Sequence, residues 1–174
     1  MILSKSKVYE LALSSVKDEH INDFLEKYIP NVFPILTEYG GKFLINGIIQ
    51  SSMGNKYPVK SFAVLEWPSI NSFISIGGDQ RIFPLIEERN QYLDFILEGC
   101  FYYISEDIDF LIPESKTMSL LLSNRSILDD QNIRFQWIND NRNRKLSLNL
   151  YFSDNLSQQY EKDEDIEKYI IQIQ

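Results

Sequence analysis

The apolar residues in the first part of the chain change their spacing in a fixed order: strand, helix, strand, strand, helix, strand. Four stretches are rich in β-branched and aromatic residues, which is typical of strands. They are residues 8–16, 42–50, 59–67 and 95–104. In two of the intervals between them, apolar residues recur every three or four positions, as on one face of a helix. The glycine pairs at 40–41 and 77–78 break these helical stretches. The order predicts an α+β domain.

Prolines and a serine locate the helix boundaries. Pro30 and Pro34 interrupt the first helical stretch, and a proline inside a helix removes a hydrogen bond and clashes with the preceding turn. We therefore expect this helix to be bent or broken near Ile29. Ser69 can cap a second helix that begins at Ile70. The resulting order, β-α-β-β-α-β, is the split βαβ arrangement of ferredoxin-like domains.

The segment from residue 105 to 174 differs from the first part. Residues 116–123 are compatible with a strand. The runs 133–137 and 146–152 alternate apolar with polar residues and flank a polar stretch, which predicts a β-hairpin with a long turn. Four apolar residues near the end fall at helical spacing and predict a short helix. They are Ile166, Tyr169, Ile170 and Ile173. We therefore expect a domain over residues 1–104 and an extension of strands, hairpin and short helix over residues 105–174.

Composition excludes several classes of protein. The formal net charge is -8 and the pI about 4.7, so the surface repels phosphate backbones and we expect no nucleic-acid partner. The single cysteine, Cys100, lies in an apolar run and fits a buried position in a reduced compartment. No signal-peptide pattern and no apolar run of about 20 residues is present, so we expect a cytoplasmic protein with no membrane partner.

Several residues recur in the order of a known family. They are Tyr28, Pro30, Tyr39-Gly40-Gly41, Gly47, Glu66, Pro68, Ser69 and Arg89. Together with the element order, they resemble the bacterial family labelled domain of unknown function 1330, which belongs to the dimeric α+β barrel superfamily. The resemblance covers roughly residues 8–104. The chain has Lys42 and Asn46 where the family has arginines, and Trp67 where it has phenylalanine.

The resemblance implies a four-stranded antiparallel sheet with two helices on one face. In relatives, two such sheets meet face to face as a barrel, which implies a homodimer. The extension could instead cover the open sheet face within one chain. Relatives in the superfamily include cofactor-free monooxygenases, isomerases, lactone-forming enzymes and haem-degrading proteins. We expect no cofactor here, and fold-level likeness alone does not assign a reaction.

Arg89 is the strongest candidate for a functional residue because it lies on the apolar face of its predicted helix. An arginine there must reach water or pair with an acceptor. Glu66 shares a strand face with Phe62 and Val64 and is the candidate partner. Either the two residues form a structural pair, or Arg89 holds a carboxylate or enolate of a ligand in a pocket.

His20, the only histidine, is the candidate for proton transfer, together with Glu66. It lies between the first strand and the first helix, and it could equally be an exposed residue at a helix start. Lys42 and Asn46, predicted to share a strand face, and Tyr103 in the last strand are candidate ligand-binding residues. One histidine and no cysteine cluster predict no metal site.

Two functional hypotheses remain open from the sequence. In the first, the protein binds a small organic molecule and acts as a cofactor-independent isomerase, cyclase or monooxygenase-like enzyme on a carbonyl-containing anionic metabolite. In the second, it is a non-catalytic protein-interaction or metabolite-sensing module that uses residues 105–174. The sequence alone does not establish catalysis.

Overall fold

The computed structural model describes residues 1–53, 58–123, 133–137, 149–153 and 166–174. The strands are β1 (Ile2–Leu3), β2 (Val8–Val16), β3 (Lys42–Met53), β4 (Ser61–Trp67), β5 (Leu93–Tyr103), β6 (Ile108–Asp109), β7 (Thr117–Ser123), β8 (Ile133–Trp137), β9 (Asn149–Ser153) and β10 (Ile166–Ile173). The α-helices are α1 (Ile21–Asp23), α2 (Ile29–Glu38), α3 (Ile70–Ile76) and α4 (Ile82–Tyr92). A 3-10 turn (Asp18–His20) precedes α1, and a π-helical turn (Phe24–Tyr28) joins α1 to α2.

The long strands form a closed antiparallel barrel. Its order is β10-β3-β4-β2-β5-β8-β9-β7, with β7 pairing back to β10. The short strands β1 and β6 form a separate two-stranded sheet. The mixed α+β class predicted from the sequence is confirmed, with a curled antiparallel sheet rather than a flat one. Among the described residues, no helix combines the length and the apolar character that crossing a membrane requires.

Local sequence signals explain most of the element boundaries in the first part. The predicted disturbance near Ile29 is confirmed, because the helix changes there from the π-helical turn to α2, and Pro30 falls in the first turn, where a proline is tolerated. The Ser69 hydroxyl accepts a hydrogen bond from the Ser72 N–H and caps α3, as predicted. Gly40 follows α2 with a φ of 82°, which is the expected left-handed helix end.

The predicted C-terminal helix is wrong, because Ile166–Ile173 is the strand β10. Its apolar residues satisfy a helical period, but Tyr169, Ile171 and Ile173 also alternate, and these three side chains are buried in the barrel. Pairing with β3 on one side and β7 on the other selects the strand. The antiparallel pairing of β8 with β9 confirms the predicted hairpin strands, while the polar stretch 139–145 lies outside the described residues.

Two apolar clusters lie on the two faces of the sheet. The inner cluster fills the barrel with large side chains from both parts of the chain, as expected for eight strands. The outer cluster packs the helices onto the sheet and includes Tyr28, Val32, Ile82 and Trp67. The free sheet face that suggested a second subunit is therefore covered by β7 to β10 of the same chain, which is the alternative stated above.

Gly47 makes this closure possible. It lies in β3 opposite Ile173 of β10. A Cβ atom at Gly47 would lie 2.1 Å from the Gln172 carbonyl oxygen and 2.9 Å from the Phe62 ring. Only a residue without a side chain allows β10 to approach β3 this closely.

Candidate functional site

A row of polar side chains crosses one end of the barrel. Lys42 of β3 lies directly opposite Glu66 of β4. Glu66 lies opposite Tyr9 of β2, and Tyr9 lies opposite Tyr102 of β5. Residues directly opposite each other in an antiparallel ladder project to the same face, and Tyr9 and Tyr102 lie in the inner cluster. We call these four residues the rim row. It brings together two of the predicted site residues, Lys42 and Glu66.

Within the part of the chain that the structure describes, the two charged groups of the rim row are not neutralised by ion pairs. Lys42 is exposed and Glu66 is half-buried. Neither side chain forms a hydrogen bond or an ion pair with another residue in the described ranges. A carboxylate and an ammonium group in register on neighbouring strands, both accessible, are able to bind a ligand with complementary charges.

Tyr9 and Tyr102 are the fully buried members of the row, and Tyr9 contacts the chain before β2. The Tyr9 hydroxyl donates a hydrogen bond to the Ser4 carbonyl oxygen (2.8 Å) and accepts one from the Ser4 N–H (2.6 Å). Burial raises the pKa of Tyr9 to about 12, the Ser4 hydrogen bond lowers it in part, and the charges of Glu66 and Asp107 raise it further. The phenol is therefore a hydrogen-bond donor and not a base at neutral pH.

The chain before β2 and the chain after β5 meet over this end of the barrel. β1 pairs with β6, and Leu3 and Phe110 are fully buried in the inner cluster. Asp107 holds this cover in place by accepting hydrogen bonds from the Lys5 N–H (2.7 Å) and the Ser4 hydroxyl (3.3 Å). The rim row therefore lies under an apolar cover, with its Lys42 end open to solvent.

The predicted pairing of Glu66 with Arg89 is wrong. Glu66 shares a face of β4 with Phe62 and Val64, as predicted, but this is the inner face of the sheet, whereas Arg89 is buried on α4 against the outer face. The Arg89 guanidinium donates instead to Glu98 (2.7 Å) and to the Asn90 side chain (3.2 Å). The sheet separates Glu66 from Arg89, so they cannot act on one ligand.

A second polar cluster lies beneath the helices. The buried Glu10 carboxylate accepts hydrogen bonds from the Gly99 N–H (2.7 Å) and the Trp67 indole N–H (2.9 Å). Gly99 has a φ of 69° and forms a β-bulge in β5, where a left-handed conformation favours glycine. Glu10 thus fixes the bulge and the Trp67 ring, and this buried carboxylate has a structural role.

Tyr28 connects this second cluster to Arg89. The pKa of the Tyr28 phenol is raised above its ordinary value, mainly because the side chain is buried. The charge and the hydrogen bond of Arg89 lower this pKa in part, and the charges of Glu98 and Glu10 raise it. Arg89 is 8% exposed, and the guanidinium is occupied by side chains of its own chain. Its contacts therefore join α4 to β5 beneath the helix layer.

His20 lies at the opposite end of the barrel from the rim row. It follows the end of β2, whereas Glu66 pairs with Tyr9 near the start of that strand. The eight residues of extended chain from Tyr9 to Val16 span about 23 Å. The His20 ring packs on Tyr92 at 5.3 Å. The structure therefore does not bring His20 and Glu66 together.

The other two candidate ligand-binding residues lie on the outer surface. Asn46 does not share a face with Lys42, because a bulge between Phe43 and Ile45 shifts the alternation of β3. The Asn46 carbonyl oxygen instead accepts a hydrogen bond from the Gln174 N–H. Tyr103 is 40% exposed and donates to the Gln136 side chain at 2.8 Å.

No group of three or more metal-binding side chains occurs among the residues that the structure describes. Sequence reasoning missed Tyr102 of the rim row. It also missed Tyr9 and Glu10, two neighbouring polar residues of β2. Both lie in the apolar first strand, and Glu10 is a charged residue inside that run. A charge in a strand that must be covered on both faces indicates a buried polar contact, and this signal could have identified Glu10.

Comparison with known proteins does not assign the chain to a family. No protein-family model matches it, and no curated protein matches it.

Proposed function

We propose that this chain is a small-molecule-binding α+β barrel protein and that the rim row is its binding site. One observation carries the proposal: Lys42 and Glu66 lie in register at the barrel rim without an ion pair to any described residue. Barrel mouths are common ligand sites, and a few polar groups at the edge of an apolar interior fix the orientation of a ligand.

The chemistry of the row favours an anionic ligand that carries a carbonyl group. The Lys42 ammonium is suited to hold a carboxylate or a developing enolate. The Glu66 carboxylate is suited to take a proton from the carbon beside the carbonyl and to return it to another position. Such an isomerisation needs neither a metal nor an organic cofactor. Of the cofactor-independent reactions considered above, it is the one for which the row supplies both required groups.

The resemblance to the dimeric α+β barrel superfamily supports the same proposal. Within the barrel, β3, β4, β2 and β5 are neighbours in that order, with helices on their outer face. This is the order expected for the ferredoxin-like domain of the dimeric α+β barrel superfamily.

The interaction hypothesis for residues 105–174 stays a prediction. Strands β7 to β10 of that segment pair on both sides within the barrel, so these four strands offer no free edge to a partner strand.

Native mass spectrometry of protein purified from its own host tests the proposal. We expect the wild-type protein to retain a small molecule that Lys42→Met and Glu66→Gln release. Lys60→Met and Glu87→Gln are matched controls, because Lys60 pairs with Asp18 on the exposed surface and Glu87 lies on the exposed side of α4. Each variant should stay within about 0.5 kcal/mol of the wild-type stability, as is usual for surface changes.

Two results would contradict the rim site. The first is a wild-type protein that carries no small molecule. The second is a molecule that the control variants release as readily as the rim variants do. Turnover of an identified ligand by Glu66→Gln at the wild-type rate would remove the proton-transfer role and leave binding alone.

A further inference from the structure

We infer that the barrel consists of two halves with the same strand order, and that the second half takes the place of a second subunit. The first half is β2 to β5, and the second half is β7 to β10. The inference rests on strand pairing and on contacts between the inner faces of the halves, and it does not depend on the proposed ligand site.

The strand order repeats around the barrel. If the strands of each half are numbered one to four along the chain, the first half reads two, three, one, four, as β3-β4-β2-β5. The second half reads two, three, one, four again, as β8-β9-β7-β10. Four strands can be arranged side by side in many orders, so an identical order in both halves indicates one building plan used twice.

The two seams between the halves are also equivalent. At one seam, β5 pairs with β8, so the fourth strand of the first half meets the second strand of the second half. At the other seam, β10 pairs with β3, which joins the fourth strand of the second half to the second strand of the first. Both seams are antiparallel. Such mutual contacts are the pattern that a twofold axis creates between two identical subunits.

The inner faces of the halves cover each other. Phe62 of the first half approaches Phe152 of the second, with ring centroids 6.4 Å apart. Tyr9 of the first half meets Phe135 of the second edge-on at 5.2 Å. Both halves contribute fully buried side chains to the inner cluster. Each half thus supplies the apolar surface that the other half must bury, as one subunit does for its partner.

The barrel is therefore complete within one chain. A closed barrel has no unpaired strand edge and no open inner face, which removes both reasons for a second subunit. We expect a monomer in place of the homodimer that the resemblance implied. We also expect one rim row for each barrel, whereas a barrel of two identical subunits would carry two.

Cysteine pairs placed across the seams test this arrangement in the full chain. Ile48 and Gln172 are directly opposed at one seam, and Tyr103 and Gln136 at the other. Directly opposed residues in antiparallel strands have Cα atoms about 4.5 to 5.5 Å apart, within the range that a disulfide spans. The native Cys100 is fully buried and free. Each double-cysteine variant, oxidised under mild conditions, should form a disulfide within one chain and keep the monomer mass.

Mixtures of the matching single-cysteine variants provide the control. Ile48→Cys mixed with Gln172→Cys should give no covalent dimer under the same oxidation, because the two positions meet only within a chain. The wild-type mass in solution at micromolar concentration should equal that of one chain. Efficient cross-linking between the single variants, or a dimer mass with cross-links between chains in the double variants, would overturn the inference. Cysteine pairs that remain unlinked in a folded monomer would also overturn it, because the seams would then not exist.

Discussion

The two halves of the barrel share a strand order but differ in the side chains that they place in comparable rows. In the first half, the row through the second-last residue of β4 contains Lys42, Glu66, Tyr9 and Tyr102. In the second half, the row through the second-last residue of β9 contains the buried side chains of Phe152, Leu120 and Tyr169. One half presents charges at the rim, and the other presents mainly apolar groups.

The two halves therefore contribute different surfaces to the barrel. The first half also carries the described helices, which protect its outer face and enclose the Glu10 cluster. The second half covers the inner face of the first half, because Phe135 and Phe152 pack against Tyr9 and Phe62 inside the barrel. When one chain supplies both halves, only the first half needs polar groups at its rim. The second half can then consist mainly of apolar side chains that cover the first.

The largest expected effect concerns the second half as a part of the core. Phe152→Ala should lower the free energy of unfolding by about 3 to 5 kcal/mol, the usual range for a buried phenylalanine, because Phe152 is fully buried against three other aromatic rings. Phe62→Ala in the first half is the matched variant. Urea unfolding should give a similar loss for both and a single transition. Two separate transitions, with only one displaced by Phe152→Ala, would show that the halves fold independently.

A somewhat smaller effect is expected at the seam between β3 and β10. Gly47→Ala should cost about 3 kcal/mol, at the upper end for overpacking, because the new Cβ would collide with the Gln172 carbonyl. Gly78→Ala is the control, since its Cβ would meet the nearest atom at an ordinary 3.5 Å. Hydrogen exchange should locate the lost protection in β3 and β10. Equal stability of the two variants would mean that β10 does not close on β3 as described.

The smallest effect is a pH dependence at the Tyr9 phenol of the first half, whose place in the second row is taken by Leu120. The pKa of Tyr9 is raised from 10.0 to about 12 in the folded protein. The folded state therefore holds this proton more tightly than the unfolded chain does. The resulting stability is complete below about pH 10 and is lost as the pH rises through about 12.

Tyr9→Phe should consequently show a flatter decline in unfolding free energy over this alkaline range than the wild-type protein. Tyr92, whose pKa is also raised to about 12 through its hydrogen bond to Glu88, contributes equally to both proteins. Tyr103→Phe on the outer surface is the matched control. Parallel declines in the wild-type protein and Tyr9→Phe would show that the rim phenol is not held in its buried, protonated form.

Local signals in the sequence were sufficient for the elements of the first half. The strand Val8–Val16 and the Ser69 cap depend on residues close together in the chain, and both were predictable. The position of Glu66 on the same strand face as Val64 and Phe62 followed from simple alternation. These features need no knowledge of the rest of the fold.

Features that depend on distant pairing were not predictable. The bulge at Gly99 reverses the alternation of β5, so Glu98 faces the helices and takes the place that Glu66 was expected to have beside Arg89. Strand β10 has apolar residues at both helical and alternating spacing, and only its neighbours β3 and β7 decide between them. The rim row combines residues from strands far apart in the sequence, which no local pattern reveals.

The seam between β10 and β3 also has a kinetic consequence. It joins residues as distant as Asn46 and Gln174, which are 128 positions apart. Contacts of such long range cost loop-closure entropy before they contribute stability, and they are associated with slow folding. During synthesis, the first half emerges with its inner face and its β3 edge uncovered until the last strand is available. We expect this interval, rather than the finished barrel, to be the stage at which the chain is most prone to aggregate.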